Sequence, residues 1–291
     1  MDALDFLVAM PDNYCNLIIT SPPYESARKL DFPVITGESW VDYHTTVCME
    51  SARVCAGLVC YVVNSRTHQF RSSMTPFLLA ADLHRQGVSL RKPCVFHRHG
   101  IPGSGGPDWL RDDYELILCF NGFADSRSNG AALPWSDPTA LGFPPKYPPG
   151  GPLSHRKQDG SRVPRKTYSP PTLANPGNII HGSVGKGHMG SDLAHENEAP
   201  FPEWLVEFFV RSFCPEQGLV IDPFCGSGTT AAVAQRLNRH YIINDLRESQ
   251  CRISLRRLGL GGSPWSPAPP FQYRGPNARD PFSYIAREVS E

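Results

Sequence analysis

No stretch of this 291-residue chain approaches the roughly 20 uninterrupted apolar residues that a membrane span requires. The first residues, Met1-Asp2-Ala3-Leu4-Asp5, carry no basic lead, so a secretory signal is not expected. Net charge is missing too: 28 Lys and Arg balance 28 Asp and Glu, and the whole-chain field announces no polyanionic partner. Nine cysteines are present without one C-x-x-C pair. Their odd number, and positions in apolar runs such as Cys60 in "GLVCYVV", point to reduced, buried thiols rather than a disulfide framework or a zinc site. Among the ten histidines the nearest grouping, His97-x-His99, lacks further ligands at fixed spacing, and no metal is expected. A cytoplasmic protein with no membrane partner is the resulting expectation.

Hydrophobic residues make up 40% of the chain, enough for a sizeable core. Residues 1–121 alternate apolar runs ("NLIIT", "GLVCYVV", "YELILCF") with amphipathic segments at 38–54 and 74–87. Such alternation predicts strands and helices of a parallel α/β sheet with helices on both faces. Residues 122–195 break the pattern and are rich in Pro, Gly, Ser and basic side chains; no helical or strand period persists there. Order returns at 196–258 with a helix over 201–213, the strand "GLVIDPF", a glycine turn feeding a helix, the strand "HYIIND" and a last helix. Residues 259–291 form a Pro-rich tail.

Two stretches carry chemistry. In "NLIITSPPY" an apolar strand ends on Thr20, Ser21, two prolines and Tyr24. In "LVIDPFCGSGTT" Asp222 ends a strand and Phe224-x-Gly226-x-Gly228 follows. Glycines there allow positive φ and close backbone approach to a ligand, and the next helix aims its free N–H groups at the same place. Asp245 ends the next strand, 23 residues beyond Asp222, at the spacing of an acid that bonds ribose hydroxyls. Two glycines instead of G-x-G-x-x-G suit a nucleoside ligand without a pyrophosphate, such as S-adenosylmethionine. "GSVGKG" at 182–187 does not match a phosphate-binding G-x-x-x-x-G-K-[ST] loop.

Taken together, "TSPPY" and "DPFCGSGTT" resemble the S-adenosylmethionine-dependent DNA amino-methyltransferases, which modify cytosine N4 or adenine N6. The catalytic tetrapeptide comes first and the cofactor motif last, the order of the β group of that family. The resemblance covers roughly residues 1–121 and 190–258. It implies a doubly wound, Rossmann-like α/β sheet, mostly parallel, with residues 122–195 inserted as an irregular target-recognition region. It places Ser21, Pro22, Pro23 and Tyr24 in the catalytic loop. Cofactor contacts would come from Thr20 beside that loop and from Asp222, Pro223, Phe224, Gly226, Gly228, Thr229, Thr230 and Asp245. An early acid, Asp2, would lie by the adenine. "NEAPFPEWL" resembles the helix entry over the cofactor's methionine end, with Phe201 and Pro202. Asn197 stands where that entry often begins with His, and "VFHRHG" where a Trp–Lys pair is expected.

An exocyclic amine is a poor nucleophile because its lone pair is delocalised into the ring. Acceptors on both N–H groups, Ser21 Oγ and the Pro22 carbonyl, would push its nitrogen toward sp³ character. The prolines fix the turn and remove competing amide donors. Tyr24 is a platform for the base, which must leave the duplex to reach the pocket. Serine at the first position is commoner in cytosine-N4 enzymes of the family and aspartate in adenine-N6 enzymes, so Ser21 favours cytosine N4 over the adenine-N6 alternative. Double-stranded DNA is the expected partner, and a cognate restriction endonuclease and the oligomeric state stay open. The basic run Arg156, Lys157, Arg162, Arg165, Lys166 and Lys186, with His188, is expected to contact DNA; His195 is a further candidate for substrate contact.

Three rivals remain at this level. A cytosine-C5 enzyme needs a cysteine nucleophile, and "KPCVF" offers Cys94, in the wrong motif order. The same fold could serve RNA or a protein amide. A catalytically inactive DNA-binding protein is the third. The second Ser-Pro-Pro, "YSPPT" at 168–172, lacks a preceding strand and reads as loop.

Overall fold

The computed structural model describes residues 1–25, 35–99, 110–123, 132–145, 159–161, 169–185, 187–196 and 201–260. In chain order the elements are α1 (Ala3–Val8), β1 (Cys15–Thr20), α2 (Glu38–Val54), β2 (Cys55–Val63), the short pair β3 (Thr67–His68) and β4 (Arg71–Ser72), α3 (Thr75–Arg85), β5 (Val88–Leu90), β6 (Cys94–His99) and β7 (Tyr114–Phe123). They continue with β8 (Ile179–Ser183), α4 (Glu203–Phe213), β9 (Leu219–Asp222), α5 (Thr229–Arg236), β10 (His240–Ile243) and α6 (Glu248–Arg257). Among the described residues no helix is long and apolar enough to cross a membrane.

The main sheet runs β10-β9-β1-β2-β7-β6-β8, with β5 on β7. The two ends of the sequence therefore meet at its centre. β1 pairs in parallel with β2 on one side and with β9 on the other, Leu17 opposite Val220 and Ile18 opposite Ile221. Leu17, Ile18 and Ile19 are fully buried because a central parallel strand has helices over both faces. Each such side chain contributes about 1.5–3 kcal/mol of burial. Ile18, Val59, Tyr61 and Ile221 pack under α1, α2 and α3, whereas Leu17, Ile19, Val62 and Val220 pack under α4 and α5. On α4, Leu205, Val206, Phe209 and Val210 form the inward stripe of a 3.6-residue period. This is the doubly wound architecture that the alternating pattern predicts.

The parallel expectation fails at one strand. β7 runs antiparallel to β2, β5 and β6. A parallel neighbour needs a crossover, usually helical. Residues 100–113, between β6 and β7, hold four Gly and two Pro, a composition with low helix propensity. A second departure is β8, which lies inside the Pro- and Gly-rich block at 122–195 and joins the main sheet, parallel to β6. Its core contribution is Ile180, with Ile179 and His181 exposed on the other face. One buried residue in a five-residue edge strand leaves little periodic signal.

Candidate active site

Thr20 and Asp222 end neighbouring parallel strands, so the loops that follow them leave the same edge of the sheet side by side. Open α/β sheets bind ligands at this carboxyl edge. Thr20 Oγ1 donates to Asp222 Oδ1 at 2.6 Å, and Thr230 Oγ1 donates to Asp222 Oδ2 at 2.6 Å. The Phe224 N–H adds a bond to Oδ1 at 3.1 Å. All three side chains are fully buried. Burial pushes the Asp222 carboxyl up to about 6, against the downward pull of the bonds from Thr20, Thr230 and the Phe224 amide. Asp222 thus pins the two loops to each other.

After β9 the chain turns through Gly226 at φ 51° and Gly228 at φ 78°. Gly228 caps α5, and a Cβ there would lie 2.8 Å from Ser254 Oγ on α6. Asp245 follows β10; its Oδ2 accepts from the Gly226 N–H at 3.0 Å and its Oδ1 from the Arg247 N–H at 2.9 Å. Asn244 Nδ2 bonds the carbonyls of Met1 and Pro223, at 3.0 and 3.2 Å, and the Met1 ammonium donates to the Asp245 carbonyl at 3.1 Å. This draws the N-terminus to the cofactor turn. Asp2 caps α1 by accepting from the Leu4 N–H at 2.8 Å, and its other oxygen accepts from Tyr43 Oη at 3.0 Å. Asp2 and Asp245 therefore flank one end of the turn.

The other end is held by Arg257, a residue that no motif marks. Its side chain is 3% exposed. One terminal nitrogen reaches Thr229 Oγ1 at 3.0 Å and Ser227 Oγ at 3.3 Å, and the other pairs with Glu203 Oε1 at 2.7 Å. Glu203 opens α4, next to the buried Phe201 and Pro202. The expected helix entry and the glycine turn are thus joined through one guanidinium. Beneath the turn, Phe224 packs on Tyr61 and His44, with His44 Nδ1 2.6 Å from Tyr61 Oη. Burial lowers His44 to about 3, so it stays neutral and takes no part as a cation.

The catalytic loop is fixed from behind. Pro23 accepts at its carbonyl from Trp40 Nε1 at 3.0 Å. Glu25 accepts from the Gly37 N–H at 2.9 Å. Ser21 is partly exposed, and its Oγ donates to Tyr24 Oη at 3.3 Å. The Tyr24 hydroxyl faces the Glu115 carboxylate on β7, which accepts from Arg98 Nη1 on β6 at 2.8 Å. Burial, then the Glu115 charge, hold the Tyr24 hydroxyl well above its ordinary range. Burial raises Glu115, opposed by Arg98 and Tyr24. A directed chain runs from Ser21 to Tyr24 to Glu115, closed by Arg98. Neither Glu115 nor Arg98 stands in a motif; only their inward position beside a strand end could have flagged them.

Cys94 begins β6, so it lies at the opposite edge of the sheet from the cofactor turn. Its sulfur meets Cys119 Sγ at 3.9 Å, and that contact together with burial raises its pKa strongly. A thiol so placed is not a nucleophile for the cytosine-C5 reaction. Cys225, in the turn itself, is buried and also raised. In the second Ser-Pro-Pro, residues 169–172 are loop. Arg156, Lys157, Arg162, Arg165, Lys166 and Lys186 lie outside the described residues, as does Asn197. His188 is exposed, with its N–H on the Gly185 carbonyl at 3.0 Å, and His195 is exposed in a short 3₁₀ turn.

The chain is similar to known proteins in sequence and in fold. A family model described as DNA methylase, for N6 and N4 methyltransferases, matches residues 15–256. The orphan methyltransferase M.BamHII of Bacillus amyloliquefaciens is 28% identical over 249 residues, 84% of this chain and 88% of that one. Among solved structures, the cytosine-N4-specific PvuII DNA methyltransferase superposes with a TM-score of 0.65 at 19% identity, over 88% of this chain and 84% of that one. The M1.HpyAVI complex with S-adenosylmethionine gives 0.51 at 14% identity, over 89% of this chain and 96% of that one.

Proposed function

This chain belongs to the DNA methylase family of N6 and N4 methyltransferases, and we propose that it methylates the exocyclic N4 amine of a cytosine flipped out of duplex DNA. Its cofactor is S-adenosylmethionine. The donor set of the turn suits that ligand. Asp245 can accept from ribose hydroxyls, the N-terminus of α5 offers N–H groups to a carboxylate, and the Arg257 guanidinium is engaged with Glu203 and the turn. When bound, S-adenosylmethionine supplies a sulfonium-activated methyl group. Asp2 and Asp245 serve its adenosine end, and Phe201, Pro202, Thr229 and Thr230 its methionine end.

The observation that carries the reading is the direction of the Ser21 hydroxyl. A serine that is to accept a proton-bearing amine must send its own proton elsewhere. Ser21 Oγ donates to Tyr24 Oη at 3.3 Å, and the Tyr24 hydroxyl keeps its own proton, facing the Glu115 carboxylate. The Ser21 Oγ lone pairs are then aimed outward as acceptors, beside the Pro22 carbonyl. Two acceptors on one amine draw both N–H bonds and free the nitrogen lone pair; a hydroxyl and a peptide carbonyl do not keep a proton, so the excess proton of the methylated amine passes on to water. The rigid loop holds the amine in line with the donor, so proximity and fixed dipoles supply most of the acceleration. Tyr24 keeps a partly exposed ring for the base while its hydroxyl is tied down.

Serine rather than aspartate at position 21 favours cytosine N4. The basic run from Arg156 to Lys186 and His188 is assigned to phosphate and base-edge contacts. Nucleoside mass spectrometry of DNA from a host without other methyltransferases tests the base. The reading requires N4-methylcytosine, and N6-methyladenine alone would remove it.

A further inference from the structure

β6 and β8 pair in parallel with His97 directly opposite His181, and His99 lies two residues along the same face of β6. Phe96 and Ile180 point into the core under α4, so the three imidazoles share the opposite face, with His97 half-buried and His99 and His181 exposed among the described residues. Their ligand-type nitrogens all lie within 4.8 Å of one another. His97 Nδ1 and His181 Nδ1 are 3.2 Å apart. Zn–N bonds of about 2.0–2.1 Å in a tetrahedron put ligand nitrogens about 3.3–3.4 Å apart. One edge of the tetrahedron is thus already present, and His99 needs only a side-chain adjustment to complete a face.

A second, independent feature points the same way. His97 Nε2, the ring nitrogen turned away from His181, is 3.7 Å from Asp113 Oδ2. Metal-bound histidines characteristically donate their remote N–H to a carboxylate, which fixes the tautomer and raises the basicity of the ligating nitrogen. A small closure of Asp113, whose Oδ2 also meets Arg111 Nη2 at 3.5 Å, would select the tautomer that leaves His97 Nδ1 unprotonated and facing His181.

We propose that His97, His99 and His181 form a binding site for a divalent transition metal of the zinc class. Three neutral imidazoles suit Zn²⁺, Ni²⁺ or Cu²⁺ and disfavour Mg²⁺ and Ca²⁺, which take oxygen ligands. Three protein ligands leave a coordination position open to solvent. β6 runs in the same direction as β1, so this position is on the edge that carries Ser21, three strands away, about 14 Å across the sheet at the usual strand spacing, and three to five residues further along the strands. An oxygen ligand completes the set there, either water or a DNA phosphate. The spacing His97-x-His99 alone could not show this, because the third ligand comes from a strand 84 residues away.

The test uses the full chain after chelator treatment, titrated with Co²⁺ and, separately, with Zn²⁺ by calorimetry. The expected result is one equivalent per chain, with the visible bands of low-coordinate Co²⁺ and no thiolate charge-transfer band. The last point matters because all nine cysteines are free. His181→Gln and His99→Gln, both at exposed positions, should each weaken binding at least tenfold while circular dichroism and S-adenosylmethionine binding stay intact. Zn²⁺ should raise the thermal midpoint of the unmodified protein and not of these variants. Absence of saturable binding, a thiolate signature, or equal binding by the variants overturns the site. So does weaker DNA binding by His181→Gln with no metal bound, which would make the trio a phosphate contact only.

Discussion

Thr20 Oγ1 donates to Asp222 Oδ1 at 2.6 Å, across 202 residues of sequence, and this bond joins the catalytic loop to the cofactor turn. Both residues are fully buried. Thr20→Val keeps the shape and removes the donor, leaving a buried carboxylate short of a partner. The expected cost is about 1–3 kcal/mol of stability. A fall in kcat at least as large as any rise in KM for S-adenosylmethionine should accompany it, because relative loop position governs transfer more than cofactor affinity. Steady-state kinetics with denaturant unfolding measures both; an unchanged kcat would count against coupling of the loops.

The raised Asp222 carboxyl predicts a specific pH dependence. Its folded value of about 6 lies above the ordinary 3.8. The folded state therefore binds the proton more tightly, and the resulting stability is fully present below about pH 4 and lost as pH rises through about 6. The difference is about 3 kcal/mol. Between pH 4 and pH 7 the unmodified protein should lose about that much more stability than Asp222→Asn, which has no group to titrate there. Parallel unfolding profiles would contradict it.

The Ser21–Tyr24–Glu115 chain predicts a loss confined to the methyl-transfer step. Tyr24→Phe removes the hydroxyl that orients Ser21 and keeps the ring. Glu115→Gln keeps the size and removes the charge that Arg98 pairs with. Each should lower kcat by about tenfold with little change in S-adenosylmethionine affinity. The double variant should lose no more than the worse single one, since both cut one chain. Additive losses would show that Glu115 acts through packing alone.

How far the sequence discloses this site depends on how local its signals are. β1 and β9 read clearly because each is an apolar run ended by a sharp change of residue type. Their adjacency, and hence the meeting of Thr20 with Asp222, is what the family's motif order implies. The antiparallel β7 was not legible, because an apolar run carries no direction. β8 was hidden in a Pro- and Gly-rich block, where Ile180 is its one residue buried below a tenth of full exposure. Glu115, Arg98 and Arg257 were missed for another reason. Charged residues mid-element look like solvated faces until the fold turns them inward, where Arg257 is 3% exposed. The basic residues expected to meet DNA lie outside the described residues.

Arg257 supplies the last prediction. Its guanidinium spans two elements, reaching Ser227 and Thr229 in the cofactor turn and Glu203 at the start of α4. Arg257→Met fills a similar volume but leaves the Glu203 carboxylate, itself 19% exposed at the side chain, with only the more exposed Arg236 as its ion-pair partner. The turn also loses its donors to Ser227 and Thr229. S-adenosylmethionine affinity should fall about tenfold or more, with kcat at saturating cofactor largely kept, because the residue shapes the cofactor turn and not the Ser21 loop. Arg257→Lys should not restore affinity, since one ammonium cannot reproduce the two-pronged contact. The double variant Arg257→Met with Glu203→Gln should recover stability but not affinity, separating the cost of a charge that has lost its buried partner from the loss of turn geometry. Calorimetric titration with S-adenosylmethionine, alongside thermal unfolding, reads the two effects apart. Full recovery of affinity in the double variant would show that Arg257 merely neutralises Glu203.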